Sequence, residues 1–349
     1  MLDSFTDVIY VASAVLFIFS ILGLSQQESA RAGNWFGIIG MVACVLMQYL
    51  RTGIISMNAD WMGLKNLSQA WWLPPVVLII GCLIGVWMAH SVAMTGMPQM
   101  VGLLNAFGGL AAALESIALF FSPNALTFLN ETYWKKESVT QIVFMVIGIF
   151  IGMVTFIGSI IACVKLNGKK LHVPSHPALT NAILLVICLI LMVLSGLSSY
   201  YDSCVRTIEP GVLPFGKWGW IFILLLVVFS SIYGVYFVLP IGGADMPVVI
   251  SVLNAFSGLS GCTAGFMLRN SMLIITGAIV ASSGCILSYI MCLSMNRSLV
   301  SVLAGGFGEG SSKKAGKKEA QPEKPHFPIE PAAVAELLLD ANKVLIVPG

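Results

Sequence analysis

Nine stretches of this chain are apolar for long enough to cross about 30 Å of hydrocarbon at about 1.5 Å of rise per residue. They lie near residues 6–24, 34–50, 72–92, 97–121, 139–164, 177–201, 218–239, 246–268 and 271–296. With no water in the hydrocarbon to satisfy backbone N–H and C=O groups, each run folds as a helix. Trp71 and Trp72, Tyr133 and Trp134, Tyr200 and Tyr201, and Trp218 and Trp220 stand at the ends of these runs, where interfacial aromatics belong. The expected fold is an all-α integral membrane protein, a bundle of about nine transmembrane helices.

Composition agrees. The chain is 58% hydrophobic and 10% charged, against about a quarter charged in a soluble domain. A net charge of +2 over 349 residues gives no reason to expect a nucleic acid partner. Seven of the eight cysteines sit in apolar runs, with no CxxC pair and no neighbouring histidines, so they read as small packing residues; Cys204 is the exception in a polar segment. Near the amino terminus Asp3 and Asp7 precede any arginine, and neither a transit peptide nor a cleavable signal is visible.

Nine crossings put the termini on opposite sides. The loops on one side hold Arg31, Lys165, Lys169, Lys170 and Arg297; those on the other hold Arg51, Lys65, Lys135, Lys136, Arg206, Lys217 and Arg269. Lys313, Lys314, Lys317 and Lys318 join the first group and place that side in the cytoplasm or matrix. This gives a membrane domain over 1–298, a Gly-, Ser-, Lys- and Pro-rich flexible linker over 299–331 on the cytoplasmic or matrix side, and a short terminal piece over 332–349. That piece is expected to form a helix at Ala332 to Asn342 and then a strand at Val344 to Val347, the first strand of a domain cut off at Gly349.

One sequence pattern occurs twice. MPQMVGLLNAFGGL at Met97–Leu110 returns as MPVVISVLNAFSGL at Met246–Leu259, 149 positions later. Each copy opens with a proline suited to a helix start and sets one asparagine, Asn105 or Asn254, in an apolar run. A carboxamide there either joins neighbouring helices or holds water in a passage without carrying charge. Glu115 is the one charged residue well inside a span, and an intramembrane carboxylate is a functional candidate, unless it reaches the interface from near its helix end. Ser282, Ser283 and Gly284 lie in a small-residue stretch of the last span, where adjacent hydroxyls beside a glycine can hydrate a helix midway. Asp245, immediately before the second copy, is placed to cap the helix that follows. No histidine falls mid-membrane, and no GxGxxG, Walker loop, zinc spacing or catalytic triad is present.

The stretches GGADMPVVISVLNAFSG, AGFMLRNSMLIITGAIVASSGCILSYIMCLSMNRS and SVLAGGFG, with LFIFSILGLS, GNWFGIIGM and IGIFIGMVTFIGSIIACVKLNGK, closely resemble the membrane part of the β subunit of the proton-translocating NAD(P) transhydrogenases. The resemblance implies a translocase in which hydride passes between NAD(H) on a partner α segment and NADP(H) on a C-terminal domain of the β subunit, coupled to proton passage. VLIVPG resembles the first strand of that NADP(H) domain. By the same resemblance Asn254 falls on the channel asparagine and Asp245 on the acidic residue at the cytoplasmic mouth. Ser282, Ser283 and Gly284 fall on the Ser-Ser-Gly of the last helix, Ser159 on a polar channel position, and Arg297 on the basic residue leading towards the NADP(H) domain.

Some members carry the channel histidine where this chain has Asn105; others carry it on a helix of the other membrane segment. The second arrangement is expected here, with Asn105 as a hydrating neighbour and Glu115 as a substitute carrier. The implied setting is a dimer of α/β units in a bacterial cytoplasmic or mitochondrial inner membrane, in contact with lipid. The proline-started, polar-centred repeat also fits a secondary transporter with a site between repeated helices, and a membrane anchor for a missing domain is a third reading.

Overall fold

The computed structural model describes residues 2–61, 72–93, 96–121, 134–168, 177–206, 219–268, 270–303, 331–341 and 343–344. The helices are α1 (Leu2–Leu24), α2 (Ala30–Trp61), α3 (Leu73–Ser91), α4 (Met97–Phe121), α5 (Trp134–Leu166), α6 (Pro177–Arg206), α7 (Gly219–Val238), α8 (Met246–Leu268), α9 (Ser271–Ser294), α10 (Leu299–Leu303) and α11 (Pro331–Asp340). Eight of them, α2 to α9, contain segments long and apolar enough to cross a membrane, and α1 adds a ninth apolar helix over Val8–Leu24. The expected all-α bundle is what the chain forms, and the described residues contain no strand. The linker between 304 and 330 and the strand expected at Val344 to Val347, apart from Val344 itself, lie outside the described residues.

Three helices outrun the apolar patterns that announced them. α2 continues to Trp61, α5 starts at Trp134, and α6 reaches Arg206. Their ends are polar, so hydropathy marks the part in hydrocarbon and not the helix.

Local chemistry sets the helix ends. Pro74 and Pro75 open α3, where a proline gives up no intrahelical hydrogen bond. Asn270 opens α9: its Oδ1 accepts from the backbone N–H groups of Met272 and Leu273, so α8 and α9 form a tight hairpin. At the far end of α9, Asn296 takes φ +54, its N–H donates to Leu293 O, and the N–H of Arg297 donates to Cys292 O. That is a Schellman closure with asparagine in the left-handed position.

The repeated sequence organises the centre of the membrane unit, which spans Met1–Gly306. Gly109 and Gly258 occupy equivalent places in the two copies. A Cβ on Gly109 would lie 2.8 Å from Gly152 O on α5, and one on Gly258 would overlap the backbone of α9 at Ala281. Each copy therefore brings its helix against the next at backbone distance, giving the close pairs α4/α5 and α8/α9. α5 then packs on α7 and α8, so that Ile149, Val154, Leu226, Val248 and Leu253 are fully enclosed. By contrast α3 buries none of its residues within this chain. In the second unit, Phe307–Gly349, the described helix is α11, whose range matches the expected terminal helix within two residues.

Candidate functional site

Helix α8 is the axis of the site. At its start the chain makes a single 3-10 turn, Gly243–Asp245, in which Asp245 N–H donates to Gly242 O. Asp245 is 7% exposed, and its Oδ2 accepts from Arg297 Nη1 at 2.9 Å. The carboxylate expected at a helix cap thus reaches across the α8/α9 hairpin, and the Schellman closure is what presents Arg297 to it. Such an ion pair is a charge-assisted hydrogen bond between partners whose spans are antiparallel neighbours.

A third charge joins this end of the bundle. Lys165, in the last turn of α5, directs its Nζ at three backbone carbonyls at and just past the end of α7: Leu239 O at 2.5 Å, Ile241 O at 2.7 Å and Val238 O at 3.4 Å. Pro240, which has no N–H, stops α7 there; Ile241 N–H turns back to Val238 O at 3.2 Å, and the ammonium complements this cluster of carbonyls and the negative end of the helix dipole. Sequence reasoning registered Lys165 only as a loop charge. Its signal was a lysine that closes a span in ACVKL, ahead of the glycine that ends the helix; Gly168 follows at φ +74.

Each repeated asparagine stands eight positions beyond its methionine, about 12 Å along the axis. Asn105 is 8% exposed, and its Nδ2 donates to Ile250 O on α8 at 3.5 Å. In an α-helix that carbonyl is also the acceptor for the N–H of Asn254. The two asparagines are therefore joined through one carbonyl, with Asn105 reaching α8 one turn before Asn254. Asn105 acts as a link between helices, while Asn254 is half-buried and no described group bonds its carboxamide.

Ser159 lies on α5 beside this crossing. It is fully buried, its carbonyl is 3.8 Å from where a Cβ on Gly102 would be, and its Oγ has no hydrogen-bond partner among the described residues. One turn later Cys163 Sγ donates to Gln99 O, which ties α5 to the start of α4. An enclosed hydroxyl without a partner is costly, and a small polar molecule such as water relieves it. Along α8, Ser257, Ser260 and Thr263 each donate to the carbonyl three positions earlier, starting from Asn254 O. A polar stripe thus runs from Asn254 through most of the remaining membrane depth.

The Ser-Ser-Gly of α9 divides by face. Gly284 is buried against Ala255, and its carbonyl accepts from Ser251 Oγ at 3.0 Å and Ser288 Oγ at 2.7 Å. Ser282 and Ser283 are exposed on this chain and bond back to Ala278 O and Val280 O. Glu115 is half-buried on α4, ten positions from Asn105 and about 80° around the helix, and forms no ion pair among the described residues. Its neighbour Ser116 is fully buried where α4, Gly148 of α5 and Thr263 of α8 converge. The structure therefore gathers Asn105, Asn254, Ser159 and Gly284 at the α4–α5–α8–α9 crossing and pairs Asp245 with Arg297. It sets Glu115 apart and turns Ser282 and Ser283 outwards.

The glycine pair that opens a helix, Gly242–Gly243, leads to the carboxylate of Asp245, where a pyrophosphate would need positive charge. No group of three or more His, Cys, Asp or Glu capable of holding a metal occurs among the described residues.

Fold and site define a polytopic helical membrane protein with polar side chains where α4, α5, α8 and α9 cross and an ion pair where α8 begins and α9 ends. The chain matches the family described as NAD(P) transhydrogenase beta subunit over residues 6–349. Two Rhodospirillum rubrum proteins, each described as NAD(P) transhydrogenase subunit beta, are 36% identical to it over 354 residues, an alignment that takes in 100% of this chain and 68% of each relative. The chain belongs to the NAD(P) transhydrogenase beta subunit family. It is accordingly the membrane proton-translocating component of a transhydrogenase complex that uses NAD(P)(H) and has an α-type partner, and the secondary-transporter reading is not supported.

Proposed function

We propose that the seam around Asn254 is the proton path of this chain and that the Asp245–Arg297 pair is where the nucleotide-binding part of the complex acts on it. The observation that carries this reading is that Asp245 and Asn254 lie on one continuous structural element. Asp245 closes the turn that begins α8, and Asn254 lies nine positions further on, about 13 Å along a rigid helix. A change of contact at the mouth moves the asparagine directly. Asn105, bonded to α8 one turn before Asn254, and Ser159 on α5 hydrate the passage, Gly284 lets α9 close on it, and Ser282 and Ser283 face the helices of the α-type partner.

A carboxamide or hydroxyl can hold and orient water but does not carry a net proton near neutral pH. The chain's spans place no histidine at mid-depth; His90 stands one position from the end of α3. The proton carrier is assigned to a histidine on a membrane helix of the partner, with Glu115 as the alternative. NADP(H) is assigned to a domain C-terminal to this membrane bundle and NAD(H) to the α-type partner, within a dimer of α/β units.

Asp245→Asn tests the reading in the assembled complex in proteoliposomes. Proton movement driven by hydride transfer is expected to fall at least tenfold while the yield of complex stays within about twofold. Normal pumping would refute the coupling role. Glu115→Gln that abolishes pumping in an assembled complex would move the carrier from the partner to this chain.

A further inference from the structure

The connection from α7 to α8 is held at both ends by side chains and closed in the middle by a single 3-10 turn. At its start, Lys165 gathers the carbonyls of Val238, Leu239 and Ile241, residues that are themselves buried. At its finish, Arg297 holds Asp245. Between them stand Gly242 and Gly243, where an added Cβ would meet nothing within 4 Å and where neither backbone is left-handed. The glycines answer no steric demand, so what they contribute is freedom about φ and ψ. The turn they make, closed by Asp245 N–H donating to Gly242 O, delivers Asp245 to Arg297 from wherever its first end is fixed, and the side chain that fixes that end is Lys165.

We infer that Lys165 is a positioning residue for proton coupling: by anchoring the carbonyls at the end of α7 it sets where the glycine-containing turn places Asp245, and so the start of α8. Lys165 reaches neither the asparagines nor the pair it serves. Its effect passes through three backbone carbonyls and two glycines. An ammonium suits this because it can donate to several carbonyls from one point, whereas a neutral amide on a shorter stem donates twice at most and adds no charge to the helix end.

This inference rests on the coupling role proposed above for Asp245, and a double-mutant cycle separates the two. Lys165→Met, Lys165→Arg, Asp245→Asn and Lys165→Met/Asp245→Asn are compared as complete complexes in proteoliposomes, reading protons moved per hydride transferred. The expected result is a fivefold or greater fall for Lys165→Met and a fall within threefold for Lys165→Arg, which keeps the charge and several donors. The double variant should be no worse than Asp245→Asn alone, because a residue acting through Asp245 has nothing left to act on. Multiplying losses in the double variant would overturn the inference, as would failure of Lys165→Met to assemble, since either shows a role independent of Asp245. Normal pumping in Lys165→Met beside impaired Asp245→Asn overturns this inference alone, and normal pumping in Asp245→Asn removes the reading on which it rests.

Discussion

Arg297 and Asp245, 52 positions apart in sequence, meet at 2.9 Å where one helix of the central hairpin begins and the other ends. Asp245 is nearly enclosed, while the Arg297 side chain is 32% exposed, so one partner faces the bundle and the other faces the water beyond it. Removing the arginine strands a buried carboxylate; keeping a charge there does not. Arg297→Ala should therefore lower the thermal stability of the complex by about 1–3 kcal/mol, whereas Arg297→Lys should cost less than half of that. Thermal inactivation of the detergent-solubilised complex measures both.

The crossings made by the repeated glycines leave no room for a side chain. Gly258→Val is expected to force α8 and α9 apart, at a cost of about 1–3 kcal/mol or more, and to reduce the folded fraction seen by size-exclusion chromatography. Gly108→Ala is the matched control, since the nearest atom to its added Cβ is 4.0 Å away, and its yield should equal that of the unaltered chain.

Ser159→Ala separates a structural from a conducting role. The hydroxyl is buried without a described partner, so its removal should leave stability unchanged or raise it by up to about 1–3 kcal/mol. Proton pumping should nevertheless fall several-fold if the proposed path passes this hydroxyl, because the seam loses a polar group there. A variant that pumps normally and is more stable would show that the hydroxyl serves no path.

Much of this was legible before any coordinates. Hydropathy placed nine spans because the membrane core imposes one requirement on every residue within it, and the repeat marked α4 and α8 because duplicated sequence survives in plain view. The pairing of Asp245 with Arg297 was hidden because it depends on a hairpin whose turn, at Asn270, lies at the opposite end of α8 and α9 from the pair. A lone aspartate before a helix reads equally well as a cap. Lys165 was hidden for a different reason: its partners are backbone carbonyls, which carry no mark in a sequence. The Ser-Ser-Gly of α9 showed its chemistry but not its direction, since 100° per residue puts Gly284 against Ala255 and turns its neighbours away.

The central claim is that protons pass the half-buried carboxamide of Asn254. The most direct test replaces it with leucine, which is close in size and cannot hold water, and compares proton uptake per hydride transferred with the amount of assembled complex in the same proteoliposomes. A fall of at least tenfold in pumping, with assembly within about twofold, is the expected result. Unimpaired pumping by Asn254→Leu would contradict it, because an apolar plug at that depth leaves the seam no way through.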